Sequence, residues 1–300
     1  MEIIGHHKER VALANLEKTG RIGQSYLFSG PESIGKSLVA FDFACRLVGQ
    51  PDFKASENQG TPLDVRMLEP ETAVRRGVAK KKRIATKEVR EALRFLQETP
   101  FQGNYRVLII SDAHLLSPGA QNALLKFAEE PEPTAVMIFV THESGQLLET
   151  LRSRLLALRF DFVPEAILKE EGAAFGLAVS SEVPEFFFSL GRPGVLLRAK
   201  ENPKAFQAKK EALGKLFRVS TLSVAERLRL AESLAADVPT LVQLLEWFLP
   251  GLHAQTKKER DAGKLSRYFL LLEKVTEAEA RLKKPEYNAR LVFENLLLAL

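Results

Sequence analysis

The run Tyr26-Leu27-Phe28 leads into Ser29-Gly30-Pro31-Glu32-Ser33-Ile34-Gly35-Lys36-Ser37-Leu38, and Val39-Ala40-Phe41-Asp42-Phe43-Ala44 follows with a helical, largely apolar pattern. A strand, a glycine-containing turn and a helix in immediate succession leave few folds open. Gly30, then Gly35-Lys36-Ser37 after four intervening residues, fits the phosphate-binding loop at every fixed position. The spacing has a geometric reason: backbone amides must approach phosphate oxygens, and the positive end of the next helix must face the anion. Lys36 is then placed to reach terminal phosphates and Ser37 to offer its hydroxyl to Mg²⁺. Gly30, Pro31, Glu32, Ser33, Ile34, Gly35, Lys36, Ser37 and Leu38 are thus the expected cradle for ATP or ADP, with Ser37 a metal ligand only when nucleotide is bound.

The surrounding pattern agrees with a parallel sheet connected by crossover helices. Strands are expected at Tyr26–Phe28, Val65–Leu68, Val107–Ile110, Val136–Val140 and Leu155–Phe160. Helices are expected at Lys36–Val48, Lys87–Glu98, Gly119–Glu130 and Gly145–Leu151. After Asp161 the strand signals stop. Short helices are expected from Pro164 to about Arg198, and longer ones from Pro203 to Leu300, where Ser223-Val224-Ala225-Glu226 is a capping box. Boundaries near 162 and 201 give an α/β nucleotide-binding domain (1–162), a small helical lid (163–201) and an all-α C-terminal domain (202–300).

A hydrolysing loop of this kind also needs an acid at a neighbouring strand end to hold Mg²⁺ and to position water. The best candidate strand, Val107–Ile110, is followed by Ser111-Asp112-Ala113-His114, so its first position is an uncharged hydroxyl. Asp112 lies one place later, and strand side chains alternate in direction. It therefore stands as a candidate catalytic acid and equally as a carboxylate capping a turn.

Ile109 to Ser117, then Gln121-Asn122-Ala123-Leu124-Leu125-Lys126-Phe127-Ala128-Glu129-Glu130-Pro131 and Leu151-Arg152-Ser153-Arg154, resemble bacterial clamp-loader subunits of the AAA+ superfamily. Ile3-Ile4-Gly5 and Gly20-Arg21-Ile22 add to the likeness, which covers about the first half of the chain. Within that family the segments are most similar to delta-prime subunits of DNA polymerase III, with the gamma/tau motors next. The resemblance implies an AAA+ domain, a lid and a collar, and as partners the sister subunits gamma/tau and delta, the beta sliding clamp and primed DNA.

It also implies roles for single residues. Motor subunits carry Asp-Glu where this chain has Ser111-Asp112, and a lid arginine that aligns with Gly194 in Gly191-Arg192-Pro193-Gly194-Val195-Leu196. Arg192 lies two residues early. Arg154 matches the arginine finger that acts on a neighbouring subunit's ATP, where a guanidinium stabilises the transferred phosphoryl group; the plainer role is an interfacial or surface ion pair. Leu155 replaces the family's usual cysteine. Thr141 matches the sensor-1 position, where a hydroxyl can bond water or γ-phosphate, and equally suits an ordinary strand end. Many relatives carry a four-cysteine zinc module after the first helix; here only Cys45 remains, so no zinc is expected.

Composition narrows the alternatives. With 45% hydrophobic and 27% charged residues the 300-residue chain is ordinary globular material, and one cysteine excludes a disulfide framework. No apolar run nears the roughly 20 residues that cross a bilayer, and Met1-Glu2-Ile3-Ile4-Gly5 has no signal-like start, so a cytoplasmic location is expected. A net charge of +5 permits an acidic partner. The basic run Arg75-Arg76 to Lys80-Lys81-Lys82-Arg83 lacks interleaved aromatics and reads as a solvated loop before it reads as a nucleic-acid contact. His6, His7 and His114 lack ligand spacing. Three readings stay open: a delta-prime-like subunit with little ATPase of its own, an active gamma/tau-like motor, and an unrelated P-loop phosphotransferase.

Overall fold

The computed structural model describes residues 3–53, 60–75, 78–174, 191–258, 260–284 and 286–299. These fall into two compact units, one ending at residue 174 and including Gly191–Gly194, the other running from Val195 onward.

The first unit is built on five parallel strands: β1 (Ser25–Ser29), β2 (Val65–Leu68), β5 (Arg106–Ile110), β6 (Ala135–Thr141) and β7 (Leu156–Arg159). Their spatial order is β2-β5-β6-β1-β7. β1 lies between β6, with Ser25 opposite Met137 and Ser29 opposite Thr141, and β7, with Ser29 opposite Arg159. All seven residues of β6 are buried, which is why Ala-Val-Met-Ile-Phe-Val-Thr reads as an unbroken apolar run. A parallel strand is covered by helices on both faces and has no polar side to alternate.

Period-two alternation still sorts these side chains between two cores. Tyr26, Phe28, Val107, Ile109, Val136, Ile138 and Val140 pack on one face with Phe41, Phe43 and Leu47 of α2 (Lys36–Leu47) and Leu13 of α1 (His7–Lys18). Leu27, Leu108, Ile110, Met137 and Phe139 pack on the other face. There they meet Val89, Ala92 and Leu96 of α3 (Thr86–Gln97), and Ala120, Leu124 and Phe127 of α4 (Pro118–Glu129). Helix α4 opens where its sequence directs. Ser117 caps α4 by accepting from Ala120 N at 3.2 Å, with Pro118 in the first turn, where a missing N–H costs nothing.

Three local readings differ from the sequence expectation. The segment 145–151 is a 3₁₀ turn (Ser144–Gln146) and a single helical turn, α5 (Glu149–Arg152), rather than one helix. Leu148 is extended between them, and its N–H donates to Gln121 Oε1 at 2.6 Å, a tertiary bond that replaces a helical one. The basic run is not a loop: β3 (Thr72–Arg75) and β4 (Val78–Lys81) pair antiparallel, Thr72 opposite Lys81 and Arg75 opposite Val78. Arg76 lies outside the described residues, as do 175–190 of the expected lid. Helix α1 carries little sequence signal because Leu13 is its one buried residue, and tertiary bonds fix its start: Glu171 of α6 (Glu165–Ala174) accepts from Gly5 N at 2.7 Å and pairs with His7 Nε2 at 2.6 Å.

The second unit is helical throughout its described residues: α7 (Pro193–Glu201, which begins in the first unit), α8 (Pro203–Phe217), α9 (Val224–Ala235), α10 (Val238–Lys258), α11 (Ala262–Leu282) and α12 (Ala289–Ala299). Its own core gathers Leu213, Leu241, Leu245, Phe248, Val275, Phe293 and Leu297. The capping box at the start of α9 forms, with Glu226 Oε2 accepting from Ser223 N at 2.8 Å. No helix among the described residues is long and apolar enough to cross a membrane.

One buried acid holds the approach to β5. Asp64 is 2% exposed, and its two carboxylate oxygens accept from Phe101 N and Gln102 N, both at 2.8 Å, with Arg106 Nε 3.6 Å from one of them. Asp64→Ala removes the acceptor of two partly buried amides and a carboxylate near the Arg106 guanidinium, and should cost about 1–3 kcal/mol. The midpoint of urea unfolding of the full chain measures it; a loss under about 0.5 kcal/mol, the scale of an ordinary surface substitution, would contradict this account.

Candidate functional site

The parallel sheet brings the C-terminal ends of β1, β5 and β6 to one edge, and the order of strands reverses beside β1. In open α/β sheets that is where ligands bind. The loop from Gly30 to Gly35 leaves β1 there. Gly30 (φ 147°), Ser33 (φ 64°) and Gly35 (φ 107°) all have positive φ, a backbone of the kind that forms concave rows of N–H groups. Gly30 has no alternative: a Cβ on it would lie 2.1 Å from the carbonyl oxygen of Phe160, whose own N–H donates to Ser29 O at 2.8 Å.

One side chain and one main chain pin this loop from outside. Buried His6 pairs through Nε2 with Ile34 O at 2.7 Å, and Ile34 itself is fully buried. Gly194 N donates to Ser33 O at 2.9 Å, and a Cβ on Gly194 would sit 2.9 Å from that same oxygen. The glycine at the expected lid-arginine position therefore has a packing role against the loop. Arg192 is buried, with its guanidinium 5.3 Å from the centre of the Phe162 ring, and its charge reaches Lys36.

Lys36 is only 6% exposed and donates to Gly30 O at 2.8 Å and Pro31 O at 2.5 Å. Burial pushes its ammonium down to about 8; Glu32 and Asp112 oppose that shift and Arg192 adds to it. Ser37 and Leu38 are exposed at the first turn of α2. The nine loop residues named from the sequence thus form one continuous structure.

At the ends of β5 and β6 an uncharged hydroxyl is accompanied by two acids, Glu69 and Asp112. Ser111 is buried and its hydroxyl donates to Glu69 Oε1 at 3.4 Å, an acid from the end of β2 that sequence spacing did not single out. Asp112 is left-handed (φ 48°, ψ 47°) and starts the 3₁₀ turn Ala113–Leu115. One of its oxygens pairs with Lys81 of the β3–β4 hairpin, and the other lies 4.0 Å from His142 Nδ1. Asp112 thus begins the turn through its backbone alone, without the side-chain cap expected of it, because its carboxylate is directed to Lys81 and His142. Thr141 is 1% exposed; its hydroxyl accepts from Glu143 N at 3.0 Å and faces His114 Nδ1 at 3.3 Å. Burial, aided by His142, pushes His114 down to about 4, so it is neutral at neutral pH. His142 was not foreseen, because 28 residues separate it from His114 and only the pairing of β5 with β6 joins them.

Arg154 stands apart from these groups in its contacts. Its guanidinium donates to Thr150 O at 2.6 Å and pairs with Glu129 Oε1 at 2.7 Å, while 37% of the side chain stays exposed. Leu155 beside it is buried in the α3–α4 core.

Comparison with known proteins agrees with this architecture. A family model described as "DNA polymerase III, delta subunit" matches residues 5–164. The gamma/tau subunit of DNA polymerase III from Mycobacterium tuberculosis is 30% identical over 178 residues, 56% of this chain and 29% of that protein. The delta' subunit from Pseudomonas aeruginosa is 33% identical over 140 residues, 43% of this chain and 40% of that protein. The chain thus spans less than half the length of either relative. A crystal structure of a DNA polymerase III gamma subunit-related protein from Thermotoga maritima superposes with a TM-score of 0.50 at 16% identity, covering 95% of this chain and 97% of that one, a likeness of fold. The match over more than half the chain, on the segment that forms the sheet, its phosphate-binding loop and Arg154, places this protein in the DNA polymerase III delta-subunit family of clamp-loader proteins.

Proposed function

We propose that this chain is the delta-prime-like subunit of a clamp loader: it completes the loader ring, helps place the sliding clamp on primed DNA, and acts on a neighbour's ATP through Arg154. The carrying observation is Ser111, which stands where a motor presents an acid, with the carboxylate of the next residue, Asp112, turned to Lys81 and His142. A serine hydroxyl lacks the charge that draws Mg²⁺. Its partners would be gamma/tau and delta subunits, the beta clamp, and primed DNA through the assembly. The division into AAA+ domain (1–162), lid (163–201) and collar (202–300) belongs to the same proposal. Exposed Phe269, Leu270, Leu291 and Leu298 give the collar helices apolar surface for sister subunits.

The loop from Gly30 to Leu38 is proposed to hold ATP or ADP with Mg²⁺ as an ordering ligand, which stabilises the fold by binding the native state alone. Phosphate would have to draw Lys36 away from Gly30 and Pro31. For Arg154, the Glu129 pair and the Thr150 carbonyl hold the guanidinium at the surface, a prepared position for a group that serves another subunit. The motor reading needs Asp112 to serve both metal and water; loss of ATP turnover by the isolated chain in Asp112→Ala would favour it. A phosphotransferase of another family has no use for the segments around Asn122 and Arg154.

In a reconstituted loader, Arg154→Ala should lower ATP turnover at the site it serves by on the order of 10³, with clamp loading falling in parallel. Nucleotide affinity of this subunit's own loop should stay as it was. Unchanged turnover would remove the finger assignment.

Lys36 supplies a pH test. Its folded value of about 8 lies below the ordinary 10.5, so between those two pH values the unfolded chain binds more protons and stability rises with pH. Below pH 8 both states carry the charge and the burial cost is fully present. The stability of wild type relative to Lys36→Met should therefore increase by on the order of 1–3 kcal/mol from pH 7.5 to 10, read from urea midpoints. A flat difference would place the ammonium in an unperturbed setting.

A further inference from the structure

Asp112, His114 and His142 converge at the ends of β5 and β6, with one ligand-capable atom from each within 4.8 Å of the other two. Asp112 Oδ1 lies 4.0 Å from His142 Nδ1, and the two imidazole centres are 4.2 Å apart at an interplanar angle of 66°. A tetrahedral ion with bonds of about 2.0–2.2 Å spaces its ligand atoms about 3.4 Å apart. Closing the triad around such an ion takes side-chain shifts of about 1 Å, within reach of three half-buried groups.

We propose that Asp112, His114 and His142 form a binding site for a divalent transition-metal ion of the Zn²⁺ or Co²⁺ kind, with a fourth position left for water. Two imidazoles and one carboxylate are a borderline donor set. Mg²⁺ demands an octahedron of oxygens and keeps its waters, so this site selects against it, and the ion differs from the Mg²⁺ that accompanies nucleotide at Ser37. The outer contacts suit the assignment, because ligands to such ions are oriented by partners on their remote atoms. The Thr141 hydroxyl faces His114 Nδ1 at 3.3 Å, Glu143 Oε1 lies 3.9 Å from His142 Nε2, and Lys81 holds the second oxygen of Asp112. Such an ion would clamp β5 to β6 at the position where a motor subunit keeps a labile Mg²⁺ and water. The four-cysteine module of relatives and this triad are unrelated in place and donor type, so the missing cysteines do not bear on it.

The test uses the untagged full-length chain, stripped with chelator and desalted, then titrated with Co²⁺ alone and with Zn²⁺ in competition. The expected result is one equivalent bound, with the intense visible absorption of low-symmetry Co²⁺, and with no displacement by excess Mg²⁺. His142→Ala and Asp112→Asn should each weaken binding by on the order of 100-fold, and both positions are accessible enough for the variants to fold. His7→Ala, which removes the imidazole paired with Glu171, should bind as wild type. The proposal is overturned by the absence of a stoichiometric site, by wild-type affinity in both triad variants, by loss of binding in His7→Ala, or by displacement of Co²⁺ by Mg²⁺ at comparable concentration.

Discussion

The pairing of β1 between β6 and β7 is the constraint on which the remainder of the first unit depends. Because all five strands run in the same direction, every chain segment that leaves a C-terminal strand end emerges at one edge. The phosphate-binding loop, the Ser111–Asp112 corner and Thr141 are neighbours for that reason alone. Burial on both faces locks the register: a slip of one residue would exchange Tyr26 and Phe28 for Leu27 between two differently shaped cores. Phe160, just past β7, then closes against Gly30 so tightly that only glycine can turn the loop.

Charge at this edge is arranged around a buried cation. Lys36 gives its protons to two loop carbonyls, feels Asp112 and Glu32 as favourable charges, and feels Arg192 as an unfavourable one. An anion entering the loop would relieve that imbalance, which is the electrostatic logic of a phosphate cradle. The acid side is differently organised. Asp112 spends one oxygen on Lys81 and turns the other to a pair of imidazoles, so its charge is committed to the hairpin and to the β5–β6 corner.

Arg154 follows a separate economy of contacts. A short helical turn, one carbonyl and one carboxylate hold it at the surface, and Leu155 anchors the segment in the core beneath. The Glu129 pair orders the partly exposed guanidinium at small cost because both members remain partly solvated.

Much of this was legible in the sequence because the signals were local. The five sheet strands, the loop, the helices that follow Lys36, Thr86 and Pro118, and the cap at Ser223 each depend on residues within a turn or two of one another. The β3–β4 hairpin was hidden because its lysines and arginines read as solvent, and helix α1 because it buries so little. His142, Glu69 and Asp64 carry no local mark at all; their partners lie 28 to 42 residues away and meet them only across paired strands and loops. The sequence by itself determined the parallel α/β sheet, the phosphate-binding loop and the uncharged Ser111, since periodicity and spacing are properties of neighbouring residues. Tertiary structure alone decided where the charge of Asp112 is directed, what surrounds Lys36, and why Gly194 must be glycine, because each of those is settled by groups that folding brings together from distant parts of the chain.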